Sequence, residues 1–161
     1  MVILDNIRNV MNKVIRIVCI LLFAFMVIIG TYQILVRYIF NNPSTVSEEL
    51  LTYSFTWMSL FAAAYVFGKR EHMRMGFLAD KLNEKKLTIL NVVIEIITIV
   101  FALIVMVYGG VSITSLSMTQ KTASLGIPMG YIYIVIPITG VVIALYGVLN
   151  VVGLIKKGEN A

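Results

Sequence analysis

The chain has 161 residues, 60% of them apolar and only 13% charged, against a charged share of roughly 25% in average soluble proteins. That composition excludes an ordinary soluble domain. A net charge of +5 raises nucleic acid as a partner, but the basic residues flank apolar runs and form no patch among aromatics. They read as membrane-orienting charges, and no nucleic-acid partner is expected.

The first apolar run predicts a membrane helix over residues 14–36, ended by Arg37. Crossing about 30 Å of hydrocarbon takes about 20 residues, and only a helix satisfies its own backbone there. The run is too long for a signal-peptide core, and no small-residue cleavage site follows before Gln33 and Arg37, so it is expected to remain. The single cysteine, Cys19, lies inside it. Alone it makes no intrachain disulfide and no metal site, and it reads as a small packing residue.

Asn41, Asn42, Pro43 and Ser44 form a turn cluster. Thr45-Val46-Ser47-Glu48 then matches a capping box, predicting a short interfacial helix that runs into a second span over residues 50–68. Glu49, Thr52, Thr56, Ser59 and Ala63 recur at steps of three and four along it. Small and polar stripes of this kind mark helix contacts in lipid. Beyond Gly68, Met73, Phe77, Leu78 and Leu82 share one helical face, with Arg74, Lys81 and Lys85 on others. The pattern predicts a second interfacial helix against anionic lipid headgroups, the alternative being a plain solvated loop.

A third span is predicted over residues 87–118. Its 32 residues would reach about 48 Å, so it must tilt, protrude or break near Gly109-Gly110. Thr88, Asn91, Glu95, Thr98, Ala102, Val105, Gly109 and Ser112 form one polar seam. The fourth span, residues 131–155, offers Gly140, Ala144 and Gly147 as a small-residue seam, and Pro137 is expected to bend it. Tyr131 and Tyr133 sit where an aromatic belt is expected. The fold class is therefore an all-α integral membrane protein, with four transmembrane helices in one membrane domain over residues 1–161.

Lys and Arg number three before the first span, six between the second and third and two after the fourth, against Arg37 and Lys121 on the opposite side. That ratio of 11 to 2 puts both termini and the 69–86 loop in the cytoplasm. Glu95 is the one acid well inside a predicted span. An acid at that depth either couples ions or protons or pairs with a base, here Lys13 or Arg16 entering from the same side. A lone acid makes a poor relay, which favours the structural role. His72, the one histidine, lies in a loop, where it cannot be an axial haem ligand. No phosphate loop, activated nucleophile or carboxylate pair is present, so no catalytic, metal-binding or substrate-binding residue is assigned, and no cofactor.

Arg37 ending the first helix, Ser47-Glu48-Glu49-Leu50 opening the second, Trp57 within it, the patch Ala62-Ala63-Ala64, Gly68, and His72-Met73-Arg74-Met75 follow one another in a telling order. This stretch resembles the small membrane subunit of tripartite ATP-independent periplasmic (TRAP) transporters. Two positions depart: Val46 stands where the motif has tryptophan, and Gly76 where it has aspartate. The resemblance implies a bacterial inner-membrane protein beside a large multi-span subunit that performs sodium-coupled transport of an organic acid. A periplasmic substrate-binding protein would supply that subunit, and the small subunit would be a non-catalytic scaffold and docking aid. Partner or lipid contacts are then expected at Arg37, Glu48, Glu49, Trp57, His72 and Arg74, with Glu48 or Glu49 paired to Arg37 or to a partner's base. Three rivals stand beside it: a self-sufficient small proton-coupled antiporter using Glu95, the membrane anchor of a redox complex, and a structural membrane protein of other assignment.

Overall fold

A computed structural model of the chain describes residues 2–69 and 84–159, with only the backbone described at 2–5, 84–85 and 155–159. Among the described residues there is no strand, and four helical stretches are long and apolar enough to cross a membrane: Asn6–Tyr38, Thr45–Lys69, Lys86–Thr119 and Gly130–Leu154. The interfacial helix expected between the second and third spans, with His72 and Arg74, lies outside the described residues.

The first helix, Val2–Tyr38, begins well before the predicted span. The second, Thr45–Lys69, is continuous from its first turn, so no separate interfacial helix precedes it. Its cap also differs from the expected box. Ser44, one residue before the predicted Thr45, accepts the Ser47 amide at 3.4 Å, and the Ser47 hydroxyl donates back to the Ser44 carbonyl at 3.0 Å. Pro43 has no side-chain oxygen to accept an amide, so the helix takes its cap from the first residue after it.

The third helix does not break at Gly109-Gly110. It runs as an α-helix over Glu84–Phe101, widens to a π-helix over Ala102–Gly109, and resumes as an α-helix over Gly110–Leu116. The widening shifts the face presented to neighbours. The expected seam holds through Thr88, Asn91, Glu95, Thr98 and Ala102, but Val105 and Ser112 are exposed. The inward positions become Met106, Gly110, Thr114 and Ser117. A π-turn adds a residue to the hydrogen-bonded ring, so a strict step of three or four loses phase across it.

The fourth helix forms in two pieces, Gly130–Tyr133 and Val135–Glu159. The interruption at Ile134 lies one turn before Pro137, which has no N–H to give the carbonyl of Tyr133. The irregularity therefore falls one turn before the proline at which a bend was expected.

Helix 1 packs along helix 2, helix 2 along helix 4, and helix 4 along helix 3, while helices 1 and 4 touch only briefly. Among the described residues helices 1 and 3 do not pack together, so the four make a row in the order 1-2-4-3 and not a closed ring. Helix 4 is its core. In an 18-residue stretch of that span 39% is buried, against 6% in each of the other three. Its glycines explain the closeness. A Cβ on Gly140 would lie 2.7 Å from Met106 Cβ, one on Gly147 2.5 Å from Ile99 Cγ1, and helix 2 comes so near that one on Gly68 would lie 2.5 Å from the Tyr146 ring.

Candidate functional site

Two polar clusters tie the row together, one at each end. At the end that carries both termini, Asn150 of helix 4 is buried, with 2% of its surface exposed. Its side-chain oxygen accepts from Arg8 Nη2 at 2.9 Å, and its amide donates to Glu95 Oε1 at 3.1 Å and to the Phe67 carbonyl at 3.5 Å. One side chain thus links all four helices. One turn away the Tyr146 hydroxyl donates to Asn12 Oδ1 at 2.7 Å.

This gives Glu95 a partner on helix 4. Its partner Asn150 also reaches Phe67, two residues from Lys69, and Arg8, in the first turns of helix 1. Between Arg16 and Arg37 lie 20 uncharged residues, 17–36, which span about 30 Å, one hydrocarbon core. Arg8 is two turns outside that interval, so the cluster that holds Glu95 extends toward the terminal end of the row. Helix 3 itself starts at Glu84, three residues before the predicted span. Of the two expected bases, Arg16 donates to the Tyr65 hydroxyl at 3.1 Å, while Arg8 is linked to Glu95 through Asn150. Asn91 and Thr98 flank Glu95 on the same half-buried face, and the Thr98 hydroxyl turns back to the Ile94 carbonyl at 2.9 Å.

At the opposite end Glu49 organises the loop between helices 3 and 4. Its carboxylate accepts the backbone amides of Ala123, Ser124 and Leu125 at 2.9, 3.1 and 2.8 Å, and the Tyr53 hydroxyl at 3.0 Å. Consecutive amides converging on one anion form a nest, and the anion here belongs to the chain itself. The loop is closed on itself as well. The Thr122 amide donates to the Ile127 carbonyl at 2.8 Å, Thr122 Oγ1 accepts the Ile127 amide at 3.2 Å, and Gly126 turns through a φ of +68°. That φ is open to glycine at no steric cost. Glu48, the adjacent acid, points elsewhere and meets Arg37 at 3.8 Å, with both side chains more than half exposed.

Trp57 has an intramolecular role. Its indole N–H donates to the Ile132 carbonyl at 3.0 Å and its ring meets Phe61 edge-on at 6.5 Å. It fastens helix 2 to helix 4 just before the interruption at Ile134. The rest of the helix 2 stripe lies on the outside: Thr52, Thr56, Ser59 and Ala63 are all exposed. The hydroxyls donate back into their own helix, Thr52 to Glu48, Thr56 to Thr52 and Ser59 to Thr56. Sequence reasoning found Glu49 but not its loop. The signal available was Thr122 and Gly126 around three amides with no helix to use them. It missed Asn150 outright, although an asparagine near the end of an apolar span is itself such a signal. Among the described residues no three His, Cys, Asp or Glu side chains gather to hold a metal ion.

Comparison with known proteins identifies this architecture. The model of the family described as "Tripartite ATP-independent periplasmic transporters, DctQ component" matches residues 26–157. A sialic acid TRAP transporter small permease protein, SiaQ, of Vibrio cholerae is 29% identical over 143 residues, covering 86% of this chain and 79% of that one. A putative TRAP transporter small permease protein of Haemophilus influenzae is 24% identical over 139 residues, covering 86% of each. Small permeases of this kind are multi-pass proteins of the bacterial inner membrane that associate with a large permease subunit and a binding protein, and they are transporter components, not enzymes. The match reaches into all four spans, and the chain belongs to the DctQ component family of tripartite ATP-independent periplasmic transporters.

Proposed function

We propose that this subunit is the non-catalytic scaffold of a sodium-coupled, binding-protein-dependent transporter for an organic acid. It holds the large multi-span transport subunit in the bilayer and helps the periplasmic substrate-binding protein to dock. The observation that carries the scaffold role is the outward stripe Thr52, Thr56, Ser59 and Ala63 on helix 2. Polar and small residues facing outward in a membrane helix favour close approach by another helix over lipid, and among the described residues no helix takes that place. Orientation follows from the 11-to-2 distribution of Lys and Arg, with both termini cytoplasmic. The loop held by Glu49 is then periplasmic, and its fixed backbone supports the docking role. The sialic acid named for the Vibrio cholerae relative supports an organic acid as the substrate class. The antiporter alternative weakens with Glu95 engaged by Asn150.

The test replaces Thr56 and Ser59 by leucine together and measures co-purification of the large subunit. Reduced recovery of the complex, with the melting temperature of the subunit itself unchanged, is expected. Undiminished recovery in both detergent and nanodiscs would reject helix 2 as the contact.

A further inference from the structure

A third polar cluster lies between helices 1 and 2. At the terminal end of the groove between helices 1 and 2, Arg16 Nη2 donates to the Tyr65 hydroxyl at 3.1 Å. Lys69 Nζ stands 4.9 Å from the centroid of the same ring. Arg16 and Lys69 are exposed, and Lys13 is exposed one turn before Arg16. Among the described residues Arg16 makes no ion pair. Two cations from different helices converge on one phenol, and an anion beside them is attracted by both. The phenol oxygen accepts from Arg16, so its own O–H remains to donate.

We propose that Arg16, Tyr65 and Lys69 bind the phosphate of an anionic phospholipid, with its acyl chains running along the groove between helices 1 and 2. Three features point to lipid. The first is depth: Arg16 lies about 30 Å, one hydrocarbon thickness, from Arg37 at the other end of the same helix, which puts it in the headgroup layer. The second is the surface next to it on the membrane side. Ile20 and Phe23 lie one and two turns further along the same side of helix 1 and are 58% and 59% exposed, a continuous apolar track for a chain below its headgroup. The third is chemistry. A guanidinium binds phosphate through two parallel hydrogen bonds, and the lysine adds a point charge. The inference rests on the chain being a membrane subunit, and not on which face meets the large subunit.

The experiment uses the full-length chain purified with its partners in mild detergent. Native mass spectrometry follows retention of added phosphatidylglycerol and phosphatidylcholine. Each basic residue near an anionic lipid contributes about fivefold in binding. Arg16→Gln should therefore lower phosphatidylglycerol retention about fivefold and Arg16→Gln with Lys69→Gln about 25-fold, with phosphatidylcholine unchanged. Tyr65→Phe keeps the ring beneath Lys69 and tests the hydroxyl alone, with a smaller loss expected. It also supplies the answer if the double variant does not assemble. Inorganic phosphate in large excess should not displace the lipid. Equal phosphatidylglycerol retention by wild type and the Arg16→Gln and Tyr65→Phe variants would overturn the proposal. Displacement by inorganic phosphate would overturn the lipid assignment. Continued co-purification of the large subunit with these variants separates either failure from a failure of the scaffold reading.

Discussion

Helices 2 and 4 carry the same kind of stripe and put it to opposite use. Gly140, Ala144 and Gly147 of helix 4 are all buried, pressed against helix 3. Thr52, Thr56, Ser59 and Ala63 of helix 2 recur at the same spacing and are all exposed. Within lipid a stripe of small and polar residues marks where a helix can be approached closely. It does not say whether the approaching helix belongs to the same chain. The contrast separates what holds this subunit together from what it offers to a partner, and substitution on the two faces should separate them by experiment.

The largest effect is expected at Gly140. A methyl there would lie 2.7 Å from Met106 Cβ and 3.2 Å from the Ala102 carbonyl oxygen, two groups held close to backbone that cannot move aside. Gly140→Ala should destabilise the subunit by about 1–3 kcal/mol, the usual penalty of overpacking, read as a lowered melting temperature in detergent. Gly153→Ala is the control, since nothing lies within 4 Å of the added carbon, and no loss is expected. If the two glycines respond alike, helix 4 is not the packed core described above.

Asn150→Leu comes next. It removes the side chain that joins Arg8, Glu95 and Phe67. Hydrogen bonds between membrane helices average about 0.6 kcal/mol, with a maximum near 1.7, so a loss of about 1 kcal/mol is expected. Arg8→Ala in the Asn150→Leu background should add little, because the bond it would break is already gone. Additive losses from the two changes would mean that Arg8 acts elsewhere. On the outer face, Thr56→Leu with Ser59→Leu should leave the subunit itself within about 0.5 kcal/mol of wild type, as exposed positions usually do.

How far these features could be read from the sequence depended on the range of the interaction behind them. The four helices follow from composition over about 20 residues, which is local. The helix 4 seam was legible because three small residues keep a strict period, and Pro137 announced the irregularity before it. The helix 3 seam was legible only to Ala102, where the π-helix shifts the period, and nothing in residues 102–109 signals that shift. The helix 2 stripe was legible as a stripe, but its direction depends on the order of helices in the row, a long-range property. Glu95 was legible as an acid on helix 3, but its bond to Asn150 joins positions 55 apart. The bond from Glu49 to residues 123–125 joins positions 74–76 apart, and no local pattern carries such a pairing.

The smallest expected effect is at Glu48, and it sharpens the comparison at the level of two adjacent acids. Glu48 and Glu49 have the same side chain and neighbouring places on one helix, yet only Glu49 turns toward helix 4. Glu48 meets Arg37 across 3.8 Å with both side chains more than half exposed, a geometry in which water screens most of the attraction. Exposed pairs of this kind contribute about 0–1 kcal/mol, and the long, nearly monodentate contact puts this one at the low end. Glu48→Gln should leave the melting temperature unchanged, and added salt should have no further effect on it. Glu49→Gln keeps one acceptor oxygen but loses the charge and the second oxygen, and three loop amides then compete for what remains. Hydrogen exchange at Ala123, Ser124 and Leu125 should accelerate in that variant and stay at the wild-type rate in Glu48→Gln, a local opening that a global melt would not register. Equal acceleration in both variants would mean that the loop is held by the general negative field at this end of helix 2 and not by directed bonds to Glu49.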